Sequence, residues 1–320
     1  MGIYLVRFEK MGEMFWGVKE DDQIIPVSNV NTLQELMRHY LNDLREITEK
    51  QKDNSFSINE VKLVAPVTPN AIICQGVNYS SHREETGVDV QKPPFNLIFS
   101  KAASSISGPY DPIVKPERVK LLDYEIELAI VLKKEIHPCS RIEEDNLHEY
   151  ILGVTIANDV SARDIQFLEH QWLKGKSFRT FCPVGPYVYV PEPDEIHEIF
   201  QLELELSVNG EIRQKANTSQ LLYKPVETLN ELAQVMDLSP GDLLLTGTPG
   251  GVAMQFSQDE MSLLSSLSTG YDEKKNIIDR HDSCKYLKEG DMVEATIYGA
   301  GGIHLGTQRN EVVLERRLSK

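Results

Sequence analysis

Cysteine is sparse: Cys74, Cys139, Cys182 and Cys284 are the only four in 320 residues, and no CxxC pair joins any two of them. That spacing excludes a dense disulfide framework and predicts reduced thiols in a cytoplasmic protein. Positive charge is in deficit, since 33 Lys and Arg face 49 Asp and Glu and leave a net charge of −16. Such a surface repels a nucleic-acid backbone or an anionic membrane, so neither is an expected partner. Long apolar runs are absent too. No stretch reaches the roughly 20 residues that span a bilayer, and the opening MGIYLVRFEKMGEM carries charge where a signal peptide needs an apolar core. What remains is an ordinary globular composition, 41% hydrophobic and 26% charged, with enough apolar residues to bury a real core.

The chain reads as α+β and mainly β. Short strands are expected over 3–27. Leu33, Leu36, Met37, Tyr40, Leu41, Leu44 and Ile47 then recur at helical spacing behind Thr32 as N-cap, predicting a helix over 33–50. A boundary near residue 65 is expected, giving a small N-terminal α+β domain over 1–65 and a larger domain over 66–320. From there β-rich segments dominate, with further helices expected only over about 162–171 and 226–237. The regular βα alternation of a doubly wound sheet is missing, which favours a mixed or mainly antiparallel architecture. Residues 255–285 read as a polar, solvated insertion.

The chemistry concentrates in four stretches. In LLDYEIELAIVL, residues i and i+2 share a strand face, so Glu125 and Glu127 stand side by side. Two like charges that close need water or a cation between them, so the segment is either a strand with one wet face or half of a cation site. The apolar Ala129 and Val131 continuing the same face favour the site. In YILGVTIANDVSARDIQ a strand runs into a turn and a helix. Ser161 and Asp164 form a capping-box pattern there, which leaves Asp159 without an evident backbone duty. Three carboxylates suit a hard cation such as Mg²⁺, Mn²⁺ or Ca²⁺ better than zinc. In QGVNYSSHREE, His82 and Glu85 lie at i, i+3 on a short helix, a spacing that suits a general base and its orienting carboxylate. Lys174 and Lys176 sit in a Gly- and Pro-punctuated loop, and SPGDLLLTGTPGGV supplies a Gly-rich exit carrying Thr248.

Taken in order, QGVNYSSHREE, FNLIFSKAASSISGP, LLDYEIELAIVL, GVTIANDVSARDIQ, WLKGKSF, PVGPYV, SPGDLLLTGTPGGV and LKEGDMVEATIYGAGGI resemble the fumarylacetoacetate hydrolase family. The resemblance implies a mixed β-sandwich or β-roll, usually dimeric, with Glu125, Glu127 and Asp159 as ligands of Mg²⁺ or Mn²⁺. It also implies His82, Glu85 and Lys176 as catalytic groups, with Arg163, Gln166 and Thr248 around a small oxo-acid substrate. The implied reaction is metal-dependent hydrolysis of a C–C bond in an acylpyruvate. Oxaloacetate decarboxylation, isomerisation of a hydroxymuconate-type diene acid, and non-catalytic metal binding on the same fold are the alternatives. The chain departs from the family pattern at Arg179, in the Tyr298–Gly301 turn, and in the length of 255–285.

Overall fold

The computed structural model describes residues 2–87, 89–281 and 284–317. Its centre is two antiparallel strands, Ile126–Leu132 and Ile151–Asn158, buried along their whole lengths and apolar on both faces except at Glu127, Thr155 and Asn158. Runs of Ile, Leu and Val without polar alternation are what a strand covered on both sides requires. Of the two alternatives for Glu125 and Glu127, the strand with one wet face is therefore excluded.

These strands sit inside an eleven-stranded sheet. On one side Ile126–Leu132 pairs with Leu243–Leu245, which runs parallel to Ile72–Gly76, and that strand pairs with Leu97–Lys101. On the other side Ile151–Asn158 meets Val188–Val190, which pairs with Ile3–Lys10 and so joins the N-terminal strands to the same sheet. A second, five-stranded sheet contains Glu203–Val208, Glu211–Asn217, Met292–Tyr298, His304–Leu314 and Ile113–Lys115. Its strand Glu203–Val208 alternates half-buried and buried residues, and Leu204, Leu206 and Val208 join the main core beside Ile126, Leu128 and Ile130. The mixed, mainly β architecture matches the sequence expectation.

The helices depart from it in detail. Thr32 caps Leu33–His39 in a capping box with Glu35, as expected, but the helix breaks at Tyr40 and restarts as Leu44–Gln51. The expected helix over 162–171 is only Arg163–Leu168, an unexpected short helix Trp172–Lys176 follows it, and Pro225–Leu232 ends before residue 237. Ser161 does not cap the first of these; its hydroxyl donates to the Asp159 carbonyl, while Asp164 accepts the backbone N–H groups of Lys120 and Leu121. The stretch over 255–285 contains two helices, Gln258–Ser265 and Tyr271–Arg280, anchored by buried Leu264 and Ile278. Among the described residues no helix is long and apolar enough to cross a membrane.

Candidate metal centre and its cavity

The ladder between the two central strands builds the acidic cluster. Ile126 pairs with Asn158, so Glu125 and Asp159 flank the same end of the ladder, and the Asp159 N–H donates to the Glu125 carbonyl at 2.8 Å. Glu127, one pleat further in, faces the same side. One carboxylate oxygen from each of Glu125, Glu127 and Asp159 lies within 4.8 Å of the others, and all three residues are buried.

Three buried anions need compensation. Lys176 Nζ bridges Glu125 Oε2 at 2.8 Å and Asp159 Oδ2 at 2.7 Å, while Lys101 donates to the other Asp159 oxygen. Arg163 binds Glu125 through Nη2, Asp123 Oδ2 through Nε at 2.8 Å and Gln166 Oε1 through Nη1 at 3.0 Å. Burial opposes ionisation of Glu125, but Lys176 and Arg163 outweigh it and hold the carboxyl far below the usual range. Burial likewise opposes charge on Lys176, yet Asp159 and Glu125 raise its pKa above the ordinary lysine value. Glu127 is the exception. It accepts the Gly247 N–H at 2.6 Å and makes no ion pair among the described residues. Burial pushes its carboxyl well above the usual range, and the neighbouring Asp159 and Glu125 push it further.

An all-oxygen donor set, closely spaced and one cation short at Glu127, fits a hard divalent metal. Beside the cluster, Asn158 Oδ1 accepts the Glu125 N–H, and its buried Nδ2 has no hydrogen-bond partner among the described residues.

A cavity of about 500 Å³ opens against this cluster. Glu125, Arg163, Gln166, Lys176, Thr248 and His82 all line it, and Glu125 connects it to Glu127 and Asp159, which are not lining residues themselves. Thr248 is already engaged: its hydroxyl donates to the Ile126 carbonyl at 2.9 Å and accepts from Gln214 Nε2 at 2.8 Å. His82 sits on the helix Ser80–Glu85, is 5% exposed, and has a buried Nδ1 without a hydrogen bond among the described residues. Glu85 Oε2 is 3.9 Å from that nitrogen, too far for a hydrogen bond, and its other oxygen accepts the Gly251 N–H at 2.7 Å. The helix Gln258–Ser265 contributes Met261 and Leu264 to the cavity wall, so the stretch expected to be solvated encloses the site instead.

Sequence reasoning passed over Lys101, Asp123 and Gln214. Asp123 is fully buried and gathers Arg163 and the N–H groups of Tyr124, Ala253 and Met254. Gln214 reaches from the second sheet to the Ile126 N–H and to the Thr248 turn. Lys101 closes the strand Leu97–Lys101, and a lysine at the end of an apolar segment is the one signal it carries in the sequence.

A mixed-β scaffold that ends its central ladder in three converging carboxylates defines a class of proteins with an oxygen-ligand cation site beside a ligand cavity. The chain belongs to the fumarylacetoacetate hydrolase family, because residues 71–313 match the fumarylacetoacetate (FAA) hydrolase C-terminal domain. It is 44% identical over 198 residues to a mitochondrial oxaloacetate tautomerase of Rattus norvegicus, a match covering 61% of each chain. The chain thus spans under two thirds of that relative. A fumarylacetoacetate hydrolase from Exiguobacterium antarcticum has a similar structure, with TM-score 0.75, 30% identity and coverage of 98% of this chain and 100% of that one. So does a maleylpyruvate hydrolase from Sphingobium sp. SYK-6, solved with manganese(II) and pyruvate, at TM-score 0.70, 26% identity and coverage of 97% and 99%.

Proposed function

We propose that this protein is a divalent-metal-dependent enzyme acting on 2-oxo acids through their enolates, and that it hydrolyses a C–C bond in an acylpyruvate. The observation that carries the reading is the Glu125–Glu127–Asp159 cluster at one end of a cavity that also presents His82 and Lys176. These three carboxylates would hold Mg²⁺ or Mn²⁺. When bound, the cation supplies Lewis-acid polarisation of the substrate's keto and carboxylate oxygens.

The chain's own residues account for the rest. Lys176 keeps its proton and offers a fixed positive charge to the oxygen on which the enolate develops. Arg163, oriented by Asp123 and Gln166, adds a rigid donor plane at the same end. His82, buried and unpartnered at Nδ1, takes a proton from a water that attacks the distal carbonyl, and Glu85 closes on the imidazolium so formed. The C3–C4 bond breaks with its electrons passing to the enolate. Protonation at C3 then gives pyruvate, and the acyl carbon leaves as a carboxylic acid.

A second reading, keto–enol tautomerisation of oxaloacetate, is supported by the named rat relative and by the open His82–Glu85 distance, since proton shuttling needs no activated water. Incubating the protein with Mg²⁺ or Mn²⁺ and acylpyruvates, oxaloacetate and a hydroxymuconate, with products followed by NMR, tests both. Hydrolysis predicts pyruvate plus an acid, and a His82→Ala loss of roughly 10²–10⁴ in rate. Silence across the whole panel would leave a metal-binding protein without turnover. A homodimer is also proposed, and sedimentation tests it.

A further inference from the structure

The charges around the cavity do not cancel evenly. Arg163 is matched by Asp123 and Glu125, and Lys176 by Glu125 and Asp159. Arg83 is different. It lines the same cavity, is only 7% exposed, and neighbours His82 on the helix Ser80–Glu85. Its Nε donates to the Asp89 carbonyl, and no carboxylate among the described residues pairs with it. A buried guanidinium without an anion is uncommon, because its desolvation is left uncompensated. It is more so in a chain of net charge −16, where carboxylates are the commonest available partners. The lining contributed by Val77, Leu97, Phe99, Phe167, Met254 and Met261 is apolar and suits a carbon chain.

We infer that Arg83 is a specificity-determining residue that receives a second carboxylate, so that the preferred substrate is a 2-oxo acid bearing a distal acid group. The inference rests on the reading that 2-oxo acids bind at the acidic cluster. Beyond Nε the guanidinium fork makes no hydrogen bond among the described residues, and it matches a carboxylate in two parallel hydrogen bonds. A volume of about 500 Å³ exceeds what a three- or four-carbon acid fills, leaving length for the linker.

The test is calorimetric binding to the full-length, Mn²⁺-loaded protein of two probes of equal length, 2-oxohexanoate and 2-oxoadipate, which differ only in the terminal carboxylate. The wild type is expected to bind 2-oxoadipate at least about tenfold more tightly, the scale of one charge-assisted contact. Arg83→Gln should bring the ratio of the two affinities near one, and Arg83→Lys should recover part of it. Equal affinities in the wild type, or a ratio unmoved in Arg83→Gln, would overturn the inference. The wild-type comparison needs no variant to fold. Turnover is read separately: a preference for 2-oxoadipate with no reaction on any 2-oxo acid would sink the proposed activity while leaving the role of Arg83 standing.

Discussion

Glu127 is the cluster's weak point and gives its sharpest test. Unlike Glu125 and Asp159 it lacks a cation, so in the metal-free protein the folded state raises its pKa. A raised carboxyl holds its proton above the unfolded value of about 4.3, and that contribution is lost as pH rises through the folded pKa. Metal-free wild type should therefore lose stability on going from about pH 5 upward, a loss the Glu127→Gln variant does not share. A divalent cation must displace that proton, so metal-induced stabilisation grows with pH. At a cation concentration of about 100 times Kd the gain is about 2.7 kcal/mol. An unfolding entropy of roughly 2.1 cal/mol/K per residue over 320 residues gives about 0.67 kcal/mol/K, hence a rise in Tm of about 4 °C. Thermal melts against Mg²⁺ and Mn²⁺ at several pH values read it directly. Glu127→Gln should abolish most of the shift. A variant that keeps the full shift, or a wild type that shows none with millimolar metal, refutes the cation site.

Three further perturbations bear on the same framework. Lys101→Met strips an ammonium from a fully buried ion pair with Asp159; breaking such a pair costs about 3–5 kcal/mol, and the lower end is expected because Lys176 still binds Asp159, as urea unfolding would reveal. Gly251 has φ +103° and an added Cβ would lie 1.9 Å from the Arg213 carbonyl oxygen, so Gly251→Ala should cost roughly 2–4 kcal/mol. It should also lower turnover by displacing the N–H that holds Glu85; an unchanged Tm would show that the turn accommodates it. Cys139 and Cys284 are exposed, whereas Cys74 and Cys182 are buried, with burial pushing the Cys182 thiol up to about 12 and Cys74 well above its usual range. Iodoacetamide at pH 8 should label two cysteines in the native protein and four after denaturation, counted by mass spectrometry; native labelling of Cys74 or Cys182 contradicts the packing.

The two halves of the acidic cluster were legible for different reasons. Period two alone places Glu125 beside Glu127, because the pleat is a property of any strand. That Asp159 joins them depends on a register between segments more than twenty residues apart, and only the turn after an apolar run hinted at it. Local patterns misled where a tertiary partner outbid them. Ser161 and Asp164 have the spacing of a capping box, but the N–H groups of Lys120 and Leu121, left without strand partners, claim the Asp164 carboxylate. Within 255–285 the helix Gln258–Ser265 buries only Leu264 and its apolar periodicity is weak, while Tyr271–Arg280 buries Ile278 alone of its apolar residues amid seven polar or charged ones, so polar composition hid both.

Lys101, Asp123 and Gln214 illustrate the deeper limit. Each is an ordinary polar residue in its own segment and becomes meaningful only through partners 58, 40 and 34 positions away. A buried ion's need for compensation is a requirement on the whole site, and sequence spacing carries no record of which distant side chain meets it. The acids that would bind a cation can therefore be read from one strand and one turn, while the cations that keep those acids ionised emerge only when the sheet is assembled. Arg83 turns the same logic around: with Arg163 and Lys176 matched by carboxylates, a cavity-lining guanidinium that no carboxylate pairs with among the described residues indicates what the ligand must bring.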